Sequence, residues 1–133
     1  MKRNKGQSLV EMALIMPLFL LLIMGLLQFS IILRSKLVLE HAVREGGRLA
    51  AVMALEADSD DKIKQTVIKA AGTLDPILQK MDISVSPSEL ETGRMSGYPI
   101  TVIVNYSLPL QIPVINSIIN HCLLRSRVVM RIE

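Results

Sequence analysis

The 133-residue chain is half hydrophobic, carries 15 Lys and Arg against 12 Asp and Glu, and has one cysteine, two histidines and 3 % aromatic residues. That length holds one modest domain rather than a multidomain enzyme, and a lone cysteine with two histidines can form neither an internal disulfide framework nor the usual four-ligand zinc site. So few aromatic residues disfavour nucleic-acid modules that stack bases, and the net charge of +3 has to be located along the chain before it can point to a partner.

The chain opens on Lys2, Arg3 and Lys5, with no acid beside them, and continues Gly6-Gln7-Ser8-Leu9-Val10-Glu11. Residues 12–33 then hold 18 hydrophobic side chains in 22, broken only by Pro17, Gly25, Gln28 and Ser30, and carry no charge. As a helix this segment is about 33 Å long, enough to cross a hydrocarbon layer of about 30 Å. A chain this short has too little material to surround 22 apolar residues as a buried core helix. The basic leader places the N-terminus in the cytoplasm and the residues beyond about 35 outside, by the positive-inside tendency. A cleaved secretory signal fits less well, because the run exceeds 7–15 residues and no small-x-small site follows Leu33. Glu11 sits about one turn inside the hydrophobic element. Two readings stand there: a functional carboxylate at membrane depth, or an interfacial anion favoured by a helix N-terminus.

Residues 34–56 can carry the helix outward. Glu40 and Arg44 are spaced i, i+4 and Glu45 and Arg48 i, i+3, each pair contributing about 0.2–0.5 kcal/mol when exposed. Gly46 and Gly47 oppose helix by about 1 kcal/mol each relative to Ala. They read either as a kink or end, or as a smooth groove for close packing against another helix. Arg44 and Arg48 share a face that is either solvated or met by an acidic partner.

Beyond residue 57, Asp58, Ser59, Asp60 and Asp61 predict an N-cap and first turn. Ile63, Val67, Ala70, Ala71, Leu74, Leu78 and Met81 recur at helical spacing opposite Lys62, Lys69 and Lys80, with Pro76 kinking this helix or starting another. Ile83 and Val85 alternate with polar residues as in a strand ending at Pro87, and residues 88–97 read as a charged, glycine-containing loop. Ile100, Val102, Val104 and Tyr106 alternate as a second strand. Pro109 and Pro113 bracket a connection, residues 114–120 form a short helix, and residues 126–133 alternate again with Val128, Met130 and Ile132 on one face. The sum is an α+β chain: a long transmembrane helix extended outward, an amphipathic helix and a small antiparallel sheet.

No catalytic set can be named from spacing, and there is no cofactor motif or phosphate loop. His121 reads as a loop or strand-edge residue and Cys122 as a small buried hydrophobe.

The order of basic leader, Gly6, four residues, Glu11 and an apolar helix resembles the processing site of type IV prepilins. The opening 6–11 and the run His41-Ala42-Val43-Arg44-Glu45-Gly46-Gly47-Arg48-Leu49-Ala50-Ala51 are similar to TadE-like pseudopilins, with a weaker similarity in Tyr106, Pro109, Pro113 and the closing 129–133. Met12, Gly47 and Leu49 stand where that pattern often has an aromatic, an alanine and an aromatic. The resemblance implies a pilin-like fold and a non-enzymatic minor pilin or pseudopilin that assembles a Tad/Flp-type pilus used in adhesion. It implies cleavage by a prepilin peptidase between Gly6 and Gln7, so that residues 1–6 are a leader, 7–56 the N-terminal helix and 57–133 an extracytoplasmic domain. Glu11 would pair with the new N-terminus of a neighbouring subunit. Arg44, Glu45, Gly46, Gly47 and Arg48 would form a helix-packing or partner surface toward other pilin-like subunits and the inner-membrane assembly platform, with lipid around the span. The alternative is a signal-anchored single-pass protein whose outer domain binds a ligand or partner. Subtracting Lys2, Arg3 and Lys5 leaves 12 basic and 12 acidic side chains, so the net charge belongs to the leader and argues for no nucleic acid.

Overall fold

The computed structural model describes residues 3–56, 58–72, 74, 81–88, 94–110 and 121–133, with side chains from residue 6 onward. Helix α1 is Arg3–Met53 and α2 is Ser59–Ala70; strands β1 (Met81–Ser86), β2 (Pro99–Pro109) and β3 (His121–Arg131) follow. The chain is α+β, as its patterning predicts. The readings that involve Met1, Lys2, Pro76, Leu78, Lys80, Pro113 and the short helix at 114–120 lie outside the described residues, as does part of the 88–97 loop.

Helix α1 runs without interruption through Pro17, Gly25, Gly46 and Gly47 for 51 residues, a length of about 76 Å. Its two halves are dressed differently. From Leu9 to Leu33 nearly every large apolar side chain is exposed, Leu9, Leu14 and Leu18 by about 70 %. None of the most apolar 18-residue window is buried, and by length and composition the helix can cross a membrane. Further along, burial becomes one-sided: Gln28, Ser35, Leu39, Ala42, Val43, Ala50 and Ala54 form a stripe, recurring at intervals of three, four and seven residues as a helix face requires.

That stripe is built of small residues because two layers close on it. The apolar face of α2, Ile63 and Val67, comes so near that a Cβ on Gly46 would lie 2.3 Å from Val67 Cγ2. From another side β3 approaches Gly47, where a Cβ would meet Val128 Cγ1 at 2.6 Å and Met130 Cγ at 3.3 Å. Glycine at these two positions replaces the kink or helix end that its low propensity would favour with a seat for α2 and the sheet.

The sheet is antiparallel in the order β1-β2-β3. Central β2 alternates as predicted, burying Ile100, Val102, Val104, Tyr106 and Leu108. Its register sets Val85 and Val128 on either side of Val102, and Leu124 across from Tyr106. Pro99 and Pro109 bound β2, where a missing N–H is harmless.

Three boundaries differ from the periodicity. Asp58 is the N-cap of α2, at φ 60°, with Asp60 and Asp61 in the first turn. The helix then ends at Ala70, its last turn closed by Ala71 N–H to Val67 O at 2.9 Å and Gly72 N–H to Lys69 O at 3.3 Å. Leu74 is buried outside the helix and Met81 opens β1, so neither of these two residues continues α2. Strand β3 begins at His121, five residues before the alternation read at 126, because β2 pairs with it down to Pro109.

The far end of the domain is tied by Arg94. Its guanidinium donates to Pro87 O at 2.9 Å, Ala54 O at 3.2 Å and Ser59 Oγ at 2.8 Å, and pairs with Asp60. One side chain thereby joins the end of α1, the start of α2 and the exit of β1. At 6 % exposure it is sheltered, and removing one member of a buried pair costs about 3–5 kcal/mol.

Two outcomes are expected in unfolding of the full chain in detergent, followed by circular dichroism. Gly46→Ala destabilises by about 1–3 kcal/mol, overpacking outweighing about 1 kcal/mol of helix propensity, and Val67→Ala recovers part of it in a double-mutant cycle. Arg94→Met destabilises by about 3 kcal/mol by leaving Asp60 without its guanidinium.

Candidate functional site

The residues singled out by sequence fall into two places about 50 Å apart along α1, from 35 residues at about 1.5 Å each. At the N-terminal end Gly6, Gln7 and Glu11 are all exposed and helical. Gln7 Nε2 donates to Glu11 Oε1 at 3.3 Å, across one turn. A Cβ on Gly6 would meet nothing within 4 Å, so its surroundings are open. Glu11 stands beside Leu9, Val10, Met12 and Leu14, each more than half exposed, and among the described residues no cation lies within ion-pair distance of it. The carboxylate is therefore carried on an uncovered apolar surface, where desolvation without a cationic partner is costly.

The second group, residues 44–48, is divided by the fold. Gly46 and Gly47 are buried against α2 and β3 of the same chain. The close packing that their lack of side chains permits is thus taken up internally. Arg44, exposed, lines a cleft toward β3 together with Lys36, Arg125 and Arg127. Glu40 lies 3.6 Å from Lys36, the turn before it, rather than beside Arg44. Glu45 and Arg48 face elsewhere, 3.9 Å apart, and with Leu49, Val52, Met53 and Thr66 they line a shallow depression of about 360 Å³ between α1 and α2.

His121 is exposed at the start of β3, and Cys122 is half-buried against the core on the inward face, opposite Leu108. Among the described residues no three His, Cys, Asp or Glu side chains cluster as metal ligands would. Arg94 and the pairing of Lys36 with β3 went unread in the sequence. Arg94 stood as one charge in a loop, and nothing local marks an arginine whose partners are 7 to 40 residues away.

Residues 6–48 match the family model described as TadE-like protein. The match covers the exposed apolar part of α1 and both groups of residues above, ending at Arg48, before α2 begins. It agrees with the resemblance carried by Gly6 to Glu11 and by Arg44 to Arg48. No curated protein and no solved structure matches the chain.

Because Arg48 is 74 % exposed and Glu45 42 %, their ion pair contributes little to folding. Arg48→Gln should shift unfolding free energy by less than about 0.5 kcal/mol, measured in the same detergent. A larger loss would show that Arg48 is part of the folded core.

Proposed function

We propose that this chain is a minor pilin or pseudopilin, a membrane-anchored structural subunit needed to assemble a Tad/Flp-type pilus that serves adhesion. The observation that carries the reading is the uncovered first half of α1. Burying a single Leu, Ile or Phe side chain is worth about 1.5–3 kcal/mol, and this helix presents more than a dozen of them with no protein over them. A bilayer can cover them first, and neighbouring helices of the same kind afterwards. The TadE-like match lies over this segment.

In this reading a prepilin peptidase cuts between Gly6 and Gln7. The bond lies in the first turns of α1, so the peptidase must unwind it locally, and glycine in a helix lowers that cost by about 1 kcal/mol. The Gln7 amide then gives way to an α-ammonium, which pairs with Glu11 of a neighbouring subunit. That pairing neutralises a carboxylate otherwise stranded in apolar surroundings and sets the axial register between helices. The apolar face supplies the packing area, while residues 34–56 and the domain stay outside the membrane. Contacts with the inner-membrane platform and other pilin-like subunits fall to the exposed residues of α1, among them Glu45 and Arg48. The role needs no cofactor and no bond-making chemistry by this chain.

The test is made in the native host. Intact-mass analysis should give a chain beginning at Gln7, and Glu11→Ala should abolish pilus-dependent attachment while the protein remains in the membrane at normal abundance. A signal-anchored binding protein would keep Met1 or its immediate neighbours and would function without Glu11; either result overturns the proposal.

A further inference from the structure

Where α1 leaves its apolar stretch, the edge strand β3 meets it. Lys36 Nζ donates to the Arg125 carbonyl, which holds β3 at the level of the first turn beyond Leu33. Between helix and strand lies a cleft of about 270 Å³ whose charged lining is Lys36, Glu40, Arg44, Arg125 and Arg127. Four of these are cationic. The one carboxylate, Glu40, is engaged 3.6 Å from Lys36, and among the described residues none of the three arginines has a carboxylate within ion-pair distance. All three are exposed.

The height of the cleft selects its occupant. Past a hydrocarbon layer of about 30 Å, the headgroup region adds roughly 5–7 Å on each side. Lys36 lies about 4.5 Å beyond Leu33 along the axis, Glu40 about 10 Å and Arg44 about 16 Å. Side chains on a helix lean toward its N-terminus, so all three lean back toward the apolar stretch. Leu37, 59 % exposed, continues the apolar surface past Lys36 on the same turn. A phosphate with its acyl chains below would meet guanidinium groups above and leucine beside it, and arginine forks suit phosphate oxygens.

We propose that this cleft binds the phosphate of an anionic phospholipid headgroup and so fixes the depth and rotation of α1 in the bilayer. The assignment rests on residues 12–33 spanning the membrane. It is independent of which leaflet that end of the span faces and of any role in a pilus. Arg125 and Arg127 clamp the headgroup from the strand, Arg44 adds its charge from the helix at the outer end of the cleft, and the Lys36 bond to the Arg125 backbone keeps the two walls in register.

The test uses the full chain in vesicles of phosphatidylcholine, with and without phosphatidylglycerol, followed by native mass spectrometry of the lipids retained after detergent extraction. The wild-type chain should float with both kinds of vesicle and retain phosphatidylglycerol in preference to phosphatidylcholine. Arg125→Gln with Arg127→Gln should lower that preference about 25-fold, two contacts of about fivefold each, while unfolding temperature and flotation stay unchanged. Arg44→Gln alone, farther from the headgroup layer, should lower it by less than about fivefold. A chain that fails to float overturns the membrane-spanning reading and this site together. Flotation with no phosphatidylglycerol preference, or a preference that survives the double substitution, overturns the site alone. Preference abolished by inorganic phosphate at equal concentration would assign the cleft to free phosphate instead. Lipid retention unchanged beside lost pilus assembly in the double variant would assign it to an acidic protein partner.

Discussion

Two adjacent positions on α1 without a Cβ set how closely everything else can approach. Successive residues of a helix point about 100° apart, so Gly46 opens one side of α1 to Val67 of α2 and Gly47 another to Val128 and Met130 of β3. With any side chain there, one layer would have to stand off by roughly a methyl group, and the contacts of the fully buried Ile63, Val67 and Val102 would loosen with it. The helix is therefore the wall of the core: Leu39, Ala42, Val43, Ala50 and Ala54 belong to the same buried cluster as β2. Three strands and one short helix would lack that wall alone, and a domain of this size is marginal even when closed.

From this follows a mechanical property. The apolar first half of α1 and the core-forming second half are one unbroken helix, and the sheet is fastened to it at several heights. Lys36 bonds the Arg125 carbonyl near the apolar stretch, the glycine seats lie in the middle, and Glu133 N–H bonds Ala51 O at 3.0 Å near the far end. Arg94 closes that end by joining α1, α2 and β1. Whatever positions the apolar half along or about its axis positions the domain with it. A flexible linker at residue 34 would lose that coupling.

Much of the architecture was legible because it is written in short periods. An uncharged apolar run identifies the first half of α1, a period of two identifies β2, and the acidic cluster 58–61 marks the start of α2. The failures share one cause, which is that the deciding partner lies far away in sequence. The α2 pattern continued in phase through Leu74 to Met81, yet β1 pairing with Tyr106 claimed Met81. Adjacent Leu123 and Leu124 hid the start of β3, which the Pro109 register defines. For the candidate site, Gly6, Gln7 and Glu11 could be found because their pattern is contiguous. Arg44 to Arg48 were found as a block, but only the fold could send the glycines inward and the charges to separate clefts. Lys36 and Arg125 are 89 residues apart, and no spacing rule connects them.

The charge of the chain shows why position outranks sum. Without Lys2, Arg3 and Lys5 the counts balance, which would predict a surface indifferent to charged partners. Among the described residues, folding gathers several of these charges by sign along the axis. Lys36, Arg44, Arg125 and Arg127 gather beside the apolar stretch with only Glu40 among them, whereas Glu56, Asp60 and Asp61 gather at the opposite end around the α1–α2 turn, partly answered by Lys62, Arg94 and Lys64. Lys36, about 4.5 Å past Leu33, lies within a Debye length of about 8 Å of the point where the apolar surface stops, whereas Arg44, about 16 Å past it, is more strongly screened there. The acidic end is some 20 residues of helix further, about 30 Å away, and contributes almost nothing at that depth. A chain with no net charge beyond Lys2, Arg3 and Lys5 thus presents a locally basic collar where hydrocarbon would give way to headgroups.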